Sequence, residues 1–245
     1  MIQVQSVTKI YGKKANSFTA LDNVSFRIKE GTVVAIIGKS GSGKSTLMHV
    51  MSGLDSPTSG QVIFGERNIT VLKKRQMDAF RSKEMSFIFQ SFFVQGDENC
   101  YNNVSLPLEI GGVAITKRRA KIEKALASVQ LLDKIKSRAR DLSGGQKQRL
   151  AVARAIVNEP KILFADEPTG NLDSVTGAVV EELLFDYSRR YGATLVVVTH
   201  DADLASKCDM RIFLKDGQVD RIEGQGQQPQ QVTDKERISA KGARL

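Results

Sequence analysis

The sequence predicts an α/β domain whose central sheet is parallel and whose chemistry gathers on a phosphate-binding loop. Three observations carry this. The stretch Gly38-Lys-Ser-Gly-Ser-Gly-Lys-Ser45 fits Gly-x-x-x-x-Gly-Lys-[Ser/Thr]. It lies between Thr32-Val-Val-Ala-Ile-Ile37, apolar and β-branched like a buried parallel strand, and Lys44-Ser-Thr-Leu-Met-His-Val-Met51, which can form a helix. Two later apolar runs, Lys161-Ile-Leu-Phe-Ala-Asp-Glu167 and Thr194-Leu-Val-Val-Val-Thr199, end in Asp166-Glu167 and His200. Polar groups so placed sit at the C-terminal edge of a parallel sheet, where α/β folds hold ligands.

In the loop, glycines at 38, 41 and 43 leave the backbone free to curl. The N–H groups around Lys39, Ser40 and Ser42 and the N-terminus of the following helix can then converge on one anion. Lys44 is placed to reach β- and γ-phosphates, and Ser45 to offer a hydroxyl to Mg²⁺, an ion that keeps several waters and needs few protein groups.

The chain has 245 residues, 41% of them hydrophobic, enough for one sizeable α/β domain with a subdomain and one nucleotide site. No apolar run approaches the roughly 18 residues of a membrane span, and Met1-Ile-Gln-Val lacks signal-peptide character, so a cytosolic chain is expected. Cys100 and Cys208 suggest neither a disulfide framework nor a zinc site and are read as reduced thiols. A net charge of +9 favours an anionic contact: nucleotide, nucleic acid or the cytoplasmic face of a membrane. The basic runs Lys73-Lys-Arg75 and Lys117-Arg-Arg119 lack interleaved aromatics and read as solvated helical faces.

Taken in order, Ile2-Gln-Val-Gln-Ser-Val7 and Val24-Ser-Phe-Arg-Ile28 alternate as half-exposed antiparallel strands do. Tyr11 is expected in the turn between them, either stacking on a base or packing at an edge. Gly53-Leu-Asp-Ser-Pro-Thr-Ser-Gly60 is turn chemistry, and Gln61-Val-Ile-Phe-Gly65 returns the chain to the sheet. Met85-Ser-Phe-Ile-Phe89 is a strand ending in Gln90, which either reaches a metal ion or water or is a surface amide. A polar, irregular stretch follows through Asn103. From about Thr116 to Asn158 the pattern is helical, with Ile122, Leu126, Val129 and Leu132 as its apolar face. Within it, Leu142-Ser-Gly-Gly-Gln146 opens a helix and offers a second anion-binding nest. Asp166 and Glu167 can divide labour between Mg²⁺ and a water nucleophile. His49 is read as structural, and from Gly224 the glutamine-rich composition reads as a flexible tail.

With Gly38–Ser45, Gln90, Leu142-Ser-Gly-Gly-Gln146, Asp166-Glu167 and His200 in this order, the chain resembles the nucleotide-binding subunit of ABC transporters over about residues 1 to 222. The resemblance implies a P-loop NTPase (RecA-like) ABC ATPase core, an antiparallel β subdomain and an α-helical subdomain at about 91–158, with 223–245 as the tail. It implies ATP and Mg²⁺, with Tyr11 on adenine and Gly38 to Thr46 around phosphates and metal. Gln90 is implied near Mg²⁺ and the attacking water, Asp166 on Mg²⁺ through water, Glu167 as general base and His200 at the γ-phosphate. Ser143 and Gly145 would complete the site of the opposite chain in a head-to-tail homodimer, with Asp173 in the loop that communicates between subunits.

Thr169-Gly-Asn-Leu-Asp173, Gly53–Gly60 and Gly38–Gly43 look most like the group of this family that serves lipoprotein release, macrolide export and cell division. That group implies a four-span membrane permease partner, a position on the cytoplasmic side of the membrane, and export or transmembrane mechanical work. A small-solute importer subunit and a soluble ABC ATPase are the alternatives; no specific nucleic acid is expected. The chain departs from the group between Phe92 and Val104, with Gly96 at a Pro position, Asn99 at Thr and Asn102 at Glu, and Ala139 stands where Pro often precedes Leu142. The departures fall where the membrane partner is usually faced.

Overall fold

The computed structural model describes residues 1–13 and 16–224. Two sheets share the molecule. β1 (Ile2–Tyr11), β2 (Phe18–Ile28), β4 (Ser59–Phe64) and the two-residue β5 (Arg67–Asn68) form an antiparallel sheet in the order β2-β1-β4-β5. The second sheet has the order β10-β9-β3-β8-β7-β6, built from β3 (Val33–Ile37), β6 (Met85–Ile88), β7 (Ile162–Asp166), β8 (Thr194–Thr199), β9 (Met210–Lys215) and β10 (Gln218–Gly224). Its strands run parallel except β10, which returns antiparallel to β9.

The continuous apolar runs are explained by burial on both faces. All six residues of β8 are buried, and four of five in β3 and β7. Alternation then divides them between two cores. Val33 and Ala35, Leu163 and Ala165, and Leu195 and Val197 face a layer of helices. Val34 and Ile36, Ile162 and Phe164, and Val196 and Val198 face the antiparallel sheet and helix α1 (Lys44–Met51), whose Leu47, Met48 and Met51 are fully buried.

The helical layer consists of α3 (Cys100–Ile110), α4 (Ile115–Ser128), α5 (Gly144–Ile156) and α6 (Ser174–Tyr191). The short α2 (Lys74–Glu84) precedes β6, and α7 (Ala202–Ser206) follows β8. The helical segment expected over about 91–158 thus holds α3 to α5, and it shares one apolar core with the sheet. Among the described residues, no helix is long and apolar enough to cross a membrane.

Several expectations need correction. The polar stretch that hid a helix is α3: Asn99 caps it by accepting the Asn102 N–H at 2.7 Å. Buried Asn103 is satisfied by the carbonyls of Gln95, at 3.1 Å, and Asn99, at 3.0 Å. Leu132 is 44% exposed; the buried residue is Leu131, because α4 ends at Ser128 and the chain turns. Gln61–Phe64 returns the chain to the antiparallel sheet beside β1, and Tyr11 ends β1 instead of lying in a turn. The last strand runs through Gly224, past the expected boundary at 222; the rest of the tail, 225–245, lies outside the described residues. Both cysteines are free and buried, and burial pushes the Cys208 thiol up to about 12.

Candidate functional site

The strand order places the C-terminal ends of β3, β8, β7 and β6 side by side, and each delivers a polar group to that edge. From β3 comes the loop Gly38–Gly43. Gly43 has φ 98°, and a Cβ there would stand 2.5 Å from the Ala20 carbonyl, so only glycine lets the loop enter α1 at this point. No side chain caps α1, and its first-turn N–H groups open onto the loop. Lys44 Nζ donates to the carbonyls of Gly38 at 2.9 Å and Lys39 at 3.0 Å, which holds the ammonium over the loop. Lys39, Ser40 and Gly41 are exposed, while the Ser42 hydroxyl is buried beneath.

β7 and β8 supply the charged centre. Burial, and then the negative charge of Glu167, raise the Asp166 carboxyl above the usual range; His49, the Ser45 hydroxyl and Lys44 pull it back. His49, read from the sequence as structural, therefore contributes to this field. Glu167 lies just beyond β7 at φ 46°, a left-handed conformation that costs a non-glycine residue about 1 kcal/mol or more. Backbone bonds hold it there: its N–H donates to Val198 O at 2.9 Å, and its carbonyl accepts the Gly170 N–H at 3.1 Å. The strain turns the carboxylate to the edge, where Oε1 lies 2.8 Å from His200 Nδ1 and Oε2 accepts from the Thr199 hydroxyl at 3.4 Å. That bond to Glu167 raises the His200 pKa, so the imidazolium persists above its ordinary range. A carboxylate fixed in this way can accept a proton from a water at the sheet edge.

Gln90 follows β6. Asn171 Nδ2 donates to its carbonyl at 3.0 Å, and a Cβ on Gly170 would approach Gln90 Nε2 to 3.2 Å. The turn after Glu167 therefore rests directly on Gln90. Tyr11 stands at the other end, its hydroxyl donating to Asp55 Oδ2 at 2.7 Å. Lys9 Nζ bonds Asp55 Oδ1 at 2.7 Å and lies 4.7 Å from the ring centroid. This bracing was not legible in the sequence, since Asp55 sits in a turn-rich run.

Ser143, Gly145 and Asp173 are brought together, but apart from the loop. The Ser143 hydroxyl accepts the Gln146 N–H at 3.3 Å, and Gln146 Oε1 accepts the Ser143 N–H at 3.0 Å, a reciprocal cap that opens α5. Asp173 caps α6 through the Thr176 N–H at 3.0 Å and hydroxyl at 2.7 Å. The two helix starts meet where Gly145 packs on Thr176. No hydrogen bond of Ser143 and no close approach to Gly145 among the described residues involves residues 38–46.

A Cβ at Gly145 would sit 2.2 Å from the Thr176 methyl. Gly145→Ala is expected to lose about 1–3 kcal/mol to this overlap, less the ~1 kcal/mol that alanine returns in a helix. Adding Thr176→Ser removes the methyl and keeps the cap, so the pair should melt at or above the parent. A double variant no more stable than Gly145→Ala alone in thermal denaturation would contradict the contact.

The departures before α5 also have local reasons. The Ala139 N–H donates to Glu98 O at 2.9 Å, a bond proline could not make, and the Arg140 N–H donates to Gly96 O at 2.9 Å. Arg154 of α5 donates to the carbonyls of Phe93 at 2.7 Å and Phe92 at 3.2 Å. The segment after Gln90 is thereby pinned to α5 and its approach. Motif spacing did not indicate this, because Arg154 reads as an ordinary helix residue.

A model of the ABC transporter family matches residues 21–170. The lipoprotein-releasing system ATP-binding protein LolD of Syntrophus aciditrophicus is 39% identical over 219 residues, 89% of this chain and 98% of that protein. The methionine import ATP-binding protein MetN of Geobacillus kaustophilus is 40% identical over 220 residues, 89% of this chain and 64% of that protein. In structure, the chain is similar to a dimeric post-hydrolysis state of the ATP-binding cassette MJ0796 bound to ADP and Pi. The TM-score is 0.85 at 37% identity, covering 93% of this chain and all of that one.

Proposed function

The chain belongs to the ABC transporter family of ATP-binding proteins, and we propose that it drives export or transmembrane mechanical work through a separate membrane subunit. Its fold is that of the P-loop ATPase cassettes, and its activity is ATP hydrolysis. The observation that carries the reading is the meeting of Gly38–Ser45, Asp166, Glu167, His200 and Gln90 on one sheet edge, with Ser143 and Gly145 held elsewhere.

In this reading, the loop amides, Lys44 and Thr46 hold the phosphates, and Tyr11 takes the adenine against its exposed ring. Glu167 accepts the proton of the attacking water; His200 steadies that carboxylate and meets the γ-phosphate. Gln90 orients the water and carries the state of the site to the segment after it. Ser143 and Gly145 serve the nucleotide of a second, head-to-tail copy, and Asp173 lies between the two.

The donors fit Mg²⁺: the Ser45 hydroxyl hydrogen-bonds the Asp166 carboxyl, and the Gln90 amide offers a further oxygen just beyond the neighbouring strand β6. No group of three or more His, Cys, Asp or Glu side chains among the described residues is placed to hold a metal, so phosphate oxygens and water must complete the shell. When bound, Mg²⁺ would neutralise phosphate charge.

Resemblance in Gly38–Gly43, Gly53–Gly60 and Thr169–Asp173 supports the lipoprotein-release and macrolide-export group, hence a four-span permease met from the cytoplasmic side. Similarity to an import protein at 40% identity keeps a small-solute importer as the second reading. Tagged Glu167→Gln, recovered from detergent-solubilised membranes with ATP and Mg²⁺, distinguishes them by the mass of the co-purifying chain. A four-span partner with a large outer domain is expected; a many-span permease points to import. Cytosolic proteins alone, or nucleic acid, would overturn both.

A further inference from the structure

Gln148 lies on α5, five residues after Ser143, and is fully buried. Its Nε2 donates to the carbonyl of Pro168 at 2.7 Å, and its Oε1 has no hydrogen-bond partner among the described residues. The orientation is fixed by chemistry, since only the NH₂ end can face a carbonyl. A buried amide that makes one bond and leaves an acceptor unpaired weakens a core, and methionine would fill the same volume without that penalty. What methionine could not supply is the bond to Pro168.

Pro168 is the residue after Glu167. The turn it begins is under backbone strain at Glu167, φ 46°, and the carboxylate points at His200 only while that turn keeps its shape. From inside the turn, Glu167 is fixed through Val198 and Gly170; from outside, Gln148 grips the next carbonyl. A second contact runs parallel to it, where Gly145 packs on Thr176, whose bonds hold Asp173. The start of α5 therefore touches both ends of the segment 167–173, and only the Gln148 bond is directional.

We propose that Gln148 is a positioning residue for the general base: it links α5, whose N-terminus offers Ser143 and Gly145 to the opposite chain's nucleotide, to the Glu167 turn of its own chain. This rests on the reading of Glu167 and of the shared site given above. Occupancy of one site then bears on the base of the other through a rigid helix, with 1.5 Å of rise per residue and no movement of the P-loop required. Gln148 touches no reacting atom and acts through the Pro168 carbonyl alone.

The test is Gln148→Met in the full-length chain, measured by steady-state ATP hydrolysis and thermal melting. Expected are a melting temperature at or above the parent, KM for Mg-ATP within twofold, and kcat lower by about tenfold or more, the pattern of a defect felt in the transition state. Parent kcat would overturn the assignment. So would a lowered melting temperature with kcat falling only as folded protein is lost, which marks an ordinary core residue. Glu167→Gln run in parallel separates the premises. If it hydrolyses at the parent rate, the general-base reading fails whatever Gln148→Met does; if it is inactive while Gln148→Met matches the parent, only the role of Gln148 fails.

Discussion

Glu167→Gln is expected to bind ATP as the parent does, hold two chains together, and turn over about 10²- to 10⁴-fold more slowly, the span a general base usually contributes. The substitution is nearly isosteric and keeps an oxygen that can face His200 Nδ1, now 2.8 Å from Oε1. It should leave the left-handed turn intact, because the bonds holding that turn come from the Val198 carbonyl and the Gly170 N–H, not from the carboxylate. What disappears is the negative charge and the capacity to take a proton. The loss should therefore appear in kcat and not in KM. Without hydrolysis the γ-phosphate stays in place, so a dimer closed by ATP should persist; its release depends on the loss of that phosphate. Single-turnover hydrolysis and size analysis with ATP and Mg²⁺ check both halves. Hydrolysis at the parent rate would remove the proton-acceptor role from Glu167.

Most of the architecture was legible because burial writes itself into composition. β3, β7 and β8 are apolar runs buried on both faces, and their ends fixed where the chemistry had to lie. The helix Lys44–Met51 follows from its place after the glycine loop. The α3 helix was not legible. Its first turn, Cys100-Tyr-Asn-Asn103, reads as polar loop, and Asn103 is buried only because carbonyls from the preceding segment turn in to meet it. Leu132 breaks the helical period because α4 stops at Ser128, and the turn beyond it buries Leu131 instead.

At the site, positions bearing chemical groups at strand ends were readable, and what braces them was not. The cap of Asp173 on Thr176 is a short-range bond a sequence can suggest. The tie from Lys9 and Tyr11 to Asp55, the grip of Arg154 on Phe92 and Phe93, and the bond from Gln148 to Pro168 join residues far apart in the chain. Gln148 did leave one trace, a polar side chain within the apolar stripe of α5. Such a residue either faces solvent or has a buried partner, and only the fold chooses between them.

Lys44→Ala should produce the opposite kinetic signature, a failure of binding that precedes any chemistry. The ammonium is held over the loop by two carbonyls, at 2.9 and 3.0 Å, and has nothing to gain in stability that alanine would greatly reduce, since carbonyl contacts at a part-exposed site are shared with water. Melting should change by no more than about 0.5 kcal/mol, as for other surface substitutions. Nucleotide affinity should fall further, by about 1.5–3 kcal/mol for each charge-assisted bond lost to phosphate, or roughly ten- to a hundredfold. The direction of the side chain makes a finer discrimination. A lysine that reaches the β- and γ-phosphates contributes more to ATP than to ADP and nothing to AMP, so the deficit should shrink in that order. Titration of each nucleotide against the folded variant measures it. Equal losses for all three would mean the loop had collapsed, and unchanged ATP affinity would take the phosphate-binding role away from Gly38–Ser45. Combined with Glu167→Gln, the variant should form no ATP-dependent dimer, because a trapped state requires that nucleotide first be held.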